Sequence, residues 1–217
     1  MMQAVVLRIP LDSDLKARKL LSFCRRHNLE AAALGIHRII AHDRYRAGRM
    51  AEAVVHYAEA KEYRKVAAIA DQLLESYIET NDMQWSIVAR AVPQEALFEN
   101  DRLSFLYRYD EFHALYKDGK SKEAASLLSL LFASESAPRR FWTTLLVDAI
   151  PLLEAEEALF SKDETLELMR CLEEVESSHR REEYLLHCKE DTFESVEKKM
   201  DVVRFALVRN LAKAFST

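Results

Sequence analysis

Cysteine and histidine are the side chains of this 217-residue chain with the most chemistry to offer, and their spacing decides how much of it is used. Cys24-x-x-His27 has the separation of a metal-ligand pair. A structural zinc site needs a second close pair, because tetrahedral coordination takes four such donors. The remaining candidates, His113, Cys171, His179 and the adjacent His187 and Cys188, are distant and irregularly spaced. Cys24 therefore reads as a core residue and His27 as a surface residue near a helix end, with no metal. Glu156–Glu157 and Glu173–Glu174 are adjacent carboxylates. Neighbouring helix positions point in different directions, so these pairs serve poorly for general acid–base work and read as solvated faces. No glycine-rich phosphate loop, Gly-x-Ser-x-Gly elbow or His-Glu-x-x-His pair occurs. An enzyme built on a helical bundle would carry inward Glu-x-x-His motifs, and the one such spacing, Glu176 to His179, falls in the polar stretch 176–192 rather than on an inward helix face. The expectation is a protein with no catalytic residues, no metal and no cofactor.

The elements that would hold these residues are helices. Only 3 Gly and 4 Pro occur in the chain, too few turn formers for a β-rich fold of this length. A 49% hydrophobic fraction beside 31% charged residues fits a folded chain rather than a disordered one. The net charge of −5 is uneven: residues 1–50 carry +6, leaving −11 for the remainder. A basic start raises the question of nucleic acid. Its charges, among them Arg18, Lys19, Arg25, Arg26, Arg44, Arg46 and Arg49, fall at helix-surface spacing between apolar residues. A solvated face, or a partner with an acidic patch, is the better reading, with no direct nucleic-acid contact. Three widely spaced cysteines make no disulfide framework and point to a reducing compartment, cytosolic or nuclear. No apolar run reaches the roughly 18 residues of a membrane span. The start, MMQAVVLRIP, is too short for a signal peptide.

Periodicity predicts the helices in order. Asp12 or Ser13 caps the first, which reaches about Arg26 with Leu15, Leu20, Leu21 and Cys24 inward. Asn28 caps a second, Leu29 to Arg46, which Gly48 terminates. A third buries Ala53, Val54, Tyr57 and Ala58. A fourth, about Lys61 to Glu79, buries Val66, Ile69, Leu73, Leu74 and Tyr77. Asn81 or Asp82 caps a short fifth that stops before Pro93. Phe105, Tyr109, Phe112 and Tyr116 step by four, three and four along one helix face, which ends at Asp118-Gly119. Ala124, Leu127, Leu128 and Leu131 stripe the next. Pro138 suits the first turn of a helix striped by Trp142, Leu145, Leu146 and Ala149, which Pro151 kinks or ends. Ser161 and Glu164 form a capping box for a helix through about Val175. Residues 176–192 read as a loop. A last helix starts near Glu194, with Val196, Met200, Val203, Leu207, Leu211 and Ala214 inward.

Tyr45, Gly48, Glu52 and Ala53 recur 71 residues later as Tyr116, Gly119, Glu123 and Ala124. A helix ending in an aromatic, a glycine reversal and a helix opening with Glu-Ala is the logic of an α-solenoid-like stack of antiparallel helix pairs. The chain lacks the repeat of roughly 34 residues that marks a tetratricopeptide-like peptide adaptor, the rival reading. For Trp85 and Trp142 the core is favoured over a partner surface. On the last helix, Arg204, Val208 and Phe215 lie beside the inward stripe with no later helix to cover them. They are the predicted partner-binding residues.

Four segments carry a family resemblance: DRLSFLYRYDEFHALY, KEAASLLSLLFASESAPRRFWTTLLVDAIPLLE, LFSKDETLELMRCLEEV and VVRFALVRNLAKA. In order and nearly contiguous, they cover most of residues 100–215. They resemble the C-terminal part of the eighty-five-kilodalton nucleoporin family of the Y-shaped outer-ring complex of the nuclear pore. Residues 1–99 match more weakly, through IPLDSDLKARKLLSFCRRHNL and RAGRMAEAVVHYAEAKEY. The resemblance implies a non-enzymatic, coatomer-related helical scaffold at the nuclear envelope, supporting protein and mRNA transport. It implies that Met1-Met2 begins a fragment of a longer protein. Residues 1–217 would form a single helical domain: 1–99 the end of the trunk or start of the tail, and 100–217 the tail helices. The implied partners are the helical C-terminal regions of other Y-complex nucleoporins and a small β-propeller nucleoporin.

Overall fold

The computed structural model describes residues 9–11, 13–80, 82–134, 137–177 and 193–215. Among them are eleven α-helices and one 3₁₀ turn, and no strand. The helices are α1 (Asp14–Arg26), α2 (Glu30–Arg46), α3 (Met50–Glu59), α4 (Tyr63–Thr80), α5 (Trp85–Ala91), α6 (Gln94–Glu99), α7 (Asp101–Lys117), α8 (Ser121–Ala133), α9 (Trp142–Leu153), α10 (Lys162–Ser177) and α11 (Phe193–Ala214). The all-α expectation holds. The chain forms two compact units, Met1–Leu73 with Gln84–Leu103, and Leu74–Met83 with Ser104–Thr217.

The first unit is built on hairpins with almost no loop. Ser13 caps α1, its Oγ accepting the Lys16 N–H at 3.3 Å. Asp12, the alternative cap, lies outside the described residues. Asn28 does not cap α2. It sits at φ 53° and closes α1, its N–H on the Arg25 carbonyl at 3.4 Å while the Leu29 N–H reaches Cys24 at 2.9 Å. These are the two bonds of a Schellman ending, which satisfy carbonyls the helix leaves bare. Gly48 at φ +73° closes α2 in the same way, through Tyr45 and Arg44. Lys61 at φ 58° closes α3 through Ala58 and, from Glu62, Tyr57. Alanines then let the helices approach: Ala32, Ala41, Ala53, Ala58 and Ala60 are all buried. Cys24, Ala17, Ile36 and Ile40 form an adjoining cluster, with Leu20 and Leu21 packed on its edge. Leu15 is exposed, contrary to its predicted inward place. The inward residues predicted for α3 and the first part of α4 are buried.

Helix α5 starts at Trp85 with Gln84 at its N-cap, so Asp82 does not cap it; Asn81 lies outside the described residues. Trp85 is fully buried. Helix α6 was not predicted. Pro93 stands at its N-cap with ψ 152°.

In the second unit α7 turns an aromatic face inward. Phe105, Tyr109 and Phe112 stack in series at 5.6 and 6.1 Å, and Phe141 meets Tyr109 edge-on at 5.3 Å. Tyr116, predicted on this face, stacks on Phe112 at 6.4 Å but is exposed at the end of α7. Gly119 at φ +74° repeats the Gly48 ending, through Tyr116 and Leu115, and Ala124 is buried as Ala53 is. Pro138 stands just ahead of the 3₁₀ turn Arg139–Phe141 that leads into α9, rather than inside a helix turn. Trp142, Leu145, Leu146 and Ala149 are buried as predicted, with Trp142 against Phe132 at 6.3 Å. Pro151 sits inside the last turn of α9, which stops at Leu153. The capping box is reciprocal: the Ser161 N–H reaches Glu164 Oε2 at 2.8 Å, and the Glu164 N–H reaches Ser161 Oγ at 3.3 Å. Helix α10 extends through Ser177, and residues 178–192 lie outside the described residues.

Candidate interaction surface

Helix α11 packs on α9 and α10 through Met200, Val203, Ala206, Leu207 and Asn210, all buried. Leu211 and Ala214 are half-buried. Asn210 sets the register. Its amide donates to the Phe160 carbonyl at 3.0 Å and to Thr165 Oγ1 at 2.8 Å, and Thr165 passes its own proton to the Ser161 carbonyl at 2.7 Å. A buried amide with both hydrogens used fixes one docking position, since sliding α11 by a turn would strand both of those hydrogens.

With that side fixed, the opposite side is fixed too. Val208 is 52% and Phe215 65% exposed, as their positions beside the inward stripe predict. Arg204 is half-exposed and is engaged: its guanidinium meets Glu176 Oε1 at 2.5 Å and Asp201 Oδ1 at 2.5 Å. The Glu176 hydrogen bond is the main reason its pKa is raised. Lys162 Nζ lies 4.7 Å from the centre of the Phe215 ring, a cation–π contact. Sequence reasoning missed Phe205, which is 70% exposed, and Val202 beside it. The signal was present: at about 100° per residue, Phe205 lies nearly opposite Val203. Val202, Phe205, Val208 and Phe215 thus form the apolar centre of this face, with Arg204 at its edge.

The groups picked out for chemistry are separated by the fold. Cys24 points into the core, where desolvation raises its pKa, whereas His27 is exposed and packs on Phe23 at 4.3 Å. Cys171 is fully buried, and burial pushes its thiol up to about 12. His179, His187 and Cys188 lie outside the described residues. Among the described residues no group of three or more His, Cys, Asp or Glu is placed to hold a metal ion, and no helix is long and apolar enough to cross a membrane.

Two polar clusters were not foreseen. His37 and His56 share a hydrogen bond between their Nδ1 atoms at 2.9 Å, joining α2 to α3. Burial lowers the pKa of both. In the second unit the Tyr109 hydroxyl donates to Asp148 Oδ2 at 2.5 Å. Burial raises Asp148 to about 6 against the opposing effect of that bond. Burial likewise lowers His113 to about 4, its ring edge-on to Tyr109 at 4.5 Å. No sequence spacing reveals a contact such as Tyr109–Asp148, because its partners stand on different helices.

All-helical units, titratable groups buried within the helix packing, and a last helix with phenyl rings turned outward define the class as an all-α, solenoid-like protein. The comparisons with known proteins agree with that class. The family model described as "Nup85 Nucleoporin" matches residues 1–174, and the chain belongs to the Nup85 nucleoporin family. It is 37% identical over 210 residues to the nuclear pore complex protein Nup85 of Rattus norvegicus, and 36% identical over 210 residues to that of Homo sapiens; each match covers 95% of this chain. The Dictyostelium discoideum protein of the same name is 40% identical over 116 residues, or 53% of the chain. The chain spans 31% of the length of the rat and human relatives.

Proposed function

We propose that this chain is a structural, non-enzymatic scaffold component of the nuclear pore complex at the nuclear envelope. It acts as the tail module that joins other helical nucleoporins of the Y-shaped assembly and so supports nucleocytoplasmic transport. Family membership across residues 1–174 is the observation that carries the reading. The tail placement rests on the resemblance of residues 100–215 to the family's C-terminal part. The partners are the helical C-terminal regions of other Y-complex nucleoporins and a β-propeller nucleoporin, and the contact is made through Arg204, Val208 and Phe215. Exposed apolar side chains on an otherwise well-packed helix support that assignment. A helix laid along α11 would bury these side chains together with Phe205, while Arg204 stays held by Glu176 at the rim.

The test pairs binding with folding. Val208→Asp with Phe215→Asp is expected to abolish capture of the helical tails of Y-complex nucleoporins, with circular dichroism and the thermal midpoint close to the parent. Unchanged capture would refute this face as the contact. A fluorescently tagged chain that fails to collect at the nuclear rim would refute the scaffold reading itself.

A further inference from the structure

A second surface, distinct from α11, has the make-up of a binding groove. In the second unit an open groove of 770 Å³ runs over α8, with α7 and α10 at its sides. Its floor is apolar. Leu115 and Leu127 are half-buried, and Leu130 is 48% exposed although α8 buries Ala124, Leu128 and Leu131 on its other side. Its rim is acidic, formed by Glu111 from α7, Glu123 from α8 and Glu164 from α10. Among the described residues Glu111 and Glu123 have no ion-pair partner. One oxygen of Glu164 accepts the Ser161 N–H, which leaves its charge uncancelled. Lys122, the one cation in the lining among the described residues, is drawn to Glu157 at 3.2 Å.

We propose that this groove docks an amphipathic helix of a partner protein, with leucine-type side chains seated on Leu115, Leu127 and Leu130 and Lys or Arg along its flanks. Helix-in-groove recognition takes apolar anchors at i, i+3, i+4 and i+7 of the bound helix, and Leu115 from α7 beside Leu127 and Leu130 from α8 gives such anchors an apolar floor. Three carboxylates around an apolar floor select the charge of the occupant, since an acidic helix would meet like charge on every side. An open trough between helices holds a small molecule poorly, because such ligands need most of their surface enclosed. The inference rests on this geometry and not on the nuclear pore reading, so either can fail without the other.

A fluorescein-labelled synthetic helix with leucines on one face and lysines on the other is titrated with the 217-residue chain, and anisotropy is followed. Saturable binding is expected, with a control peptide carrying glutamates in place of the lysines failing to bind. Glu111→Lys with Glu123→Lys is expected to weaken binding at least about tenfold, and Leu130→Ser by about tenfold, the effect of one lost leucine-sized contact. Both changes lie at exposed positions, and circular dichroism checks that the fold is kept. Glu156→Lys with Glu173→Lys, exposed and outside the groove, makes the same change in net charge and is expected to leave the affinity near the parent value. Val208→Asp with Phe215→Asp is expected to leave it unchanged, which separates this groove from the α11 face. Equal weakening by Glu156→Lys with Glu173→Lys would reduce the effect to net charge and overturn the proposal. So would equal binding of the acidic peptide, or full affinity in Leu130→Ser.

Discussion

Asp148 and His113 place two buried titratable groups beside one tyrosine, with opposite consequences for acid stability. Asp148 is raised from 3.8 to about 6, so its favourable contribution is full below its unfolded pKa and is lost as pH rises through about 6. His113 is lowered from 6.5 to about 4, so its contribution is present above 6.5 and is lost as pH falls through about 4. Each shift is of order 3 kcal/mol, and across pH 7 to 4 the two oppose each other. Asp148→Asn keeps an acceptor for Tyr109 and removes one of the two. Its thermal midpoint is expected to drop relative to the parent as the pH is lowered from 7 to 4. His113→Gln is expected to do the reverse and gain on the parent over the same range. Parallel midpoint curves for the three proteins would mean that folding shifts the pKa of neither group. None of this was legible in the sequence. The segment WTTLLVDAIPLL marks Asp148 as its one charged residue, and only the folding of the second unit brings it to Tyr109. The aromatic face itself was legible, because Phe105, Tyr109 and Phe112 follow the helical period.

At the scale of elements, the turns decide the architecture. Gly48 and Gly119 were readable as helix endings because glycine occupies the left-handed region without steric cost. Lys61 was not, since nothing in a lysine advertises a positive φ, and Asn28 was assigned to the wrong helix. Helix α6 escaped because it is one turn and a half long and its period cannot be counted. Gly119→Ala tests the backbone alone: the added Cβ would meet no atom within 4 Å, so any loss comes from the positive φ. A loss of about 1–2 kcal/mol is expected. Lys61→Gly, at the equivalent position after α3, is expected to gain up to about 1 kcal/mol, part of that relief being returned to the freer unfolded chain. Chemical denaturation of both variants measures the difference. A destabilised Lys61→Gly beside an unaffected Gly119→Ala would contradict the account of these endings.

For the whole molecule, the family was legible because long segments match in order, whereas the surfaces were only partly so. The inward stripe of the last helix was legible, yet the exposed Phe205 beside it was not, and the groove over α8 is assembled from three helices that no single stretch of sequence joins. Part of the cationic start of the chain is paired within the first unit, Arg44 with Asp14, Arg38 with Glu62 at 2.7 Å and Arg49 with Glu52 at 2.5 Å. Further along the same unit Lys61 pairs with Glu30 at 3.5 Å and Arg102 with Asp71 at 3.9 Å. Solvated pairs of this kind are worth about 0–1 kcal/mol each and are screened by salt. Raising sodium chloride to roughly 1 M, where the screening length is near 3 Å, is expected to move the thermal midpoint by only a few degrees. Duplex DNA or RNA is expected to stay unshifted in a mobility assay at physiological salt. A large salt-dependent loss, or a retarded band, would show that the basic surface does more than pair internally.

The two buried thiols have a use that their lack of chemistry makes possible. Cys24 lies in one compact unit and Cys171 in the other, both buried and both with a raised pKa. A thiol held in that state is inert to alkylating reagents until its surroundings open. The rate at which each cysteine is modified, read separately by mass spectrometry of its own peptide, is therefore a clock for the opening of its own half. Among the described residues each unit thus holds one such internal timer, without any engineering.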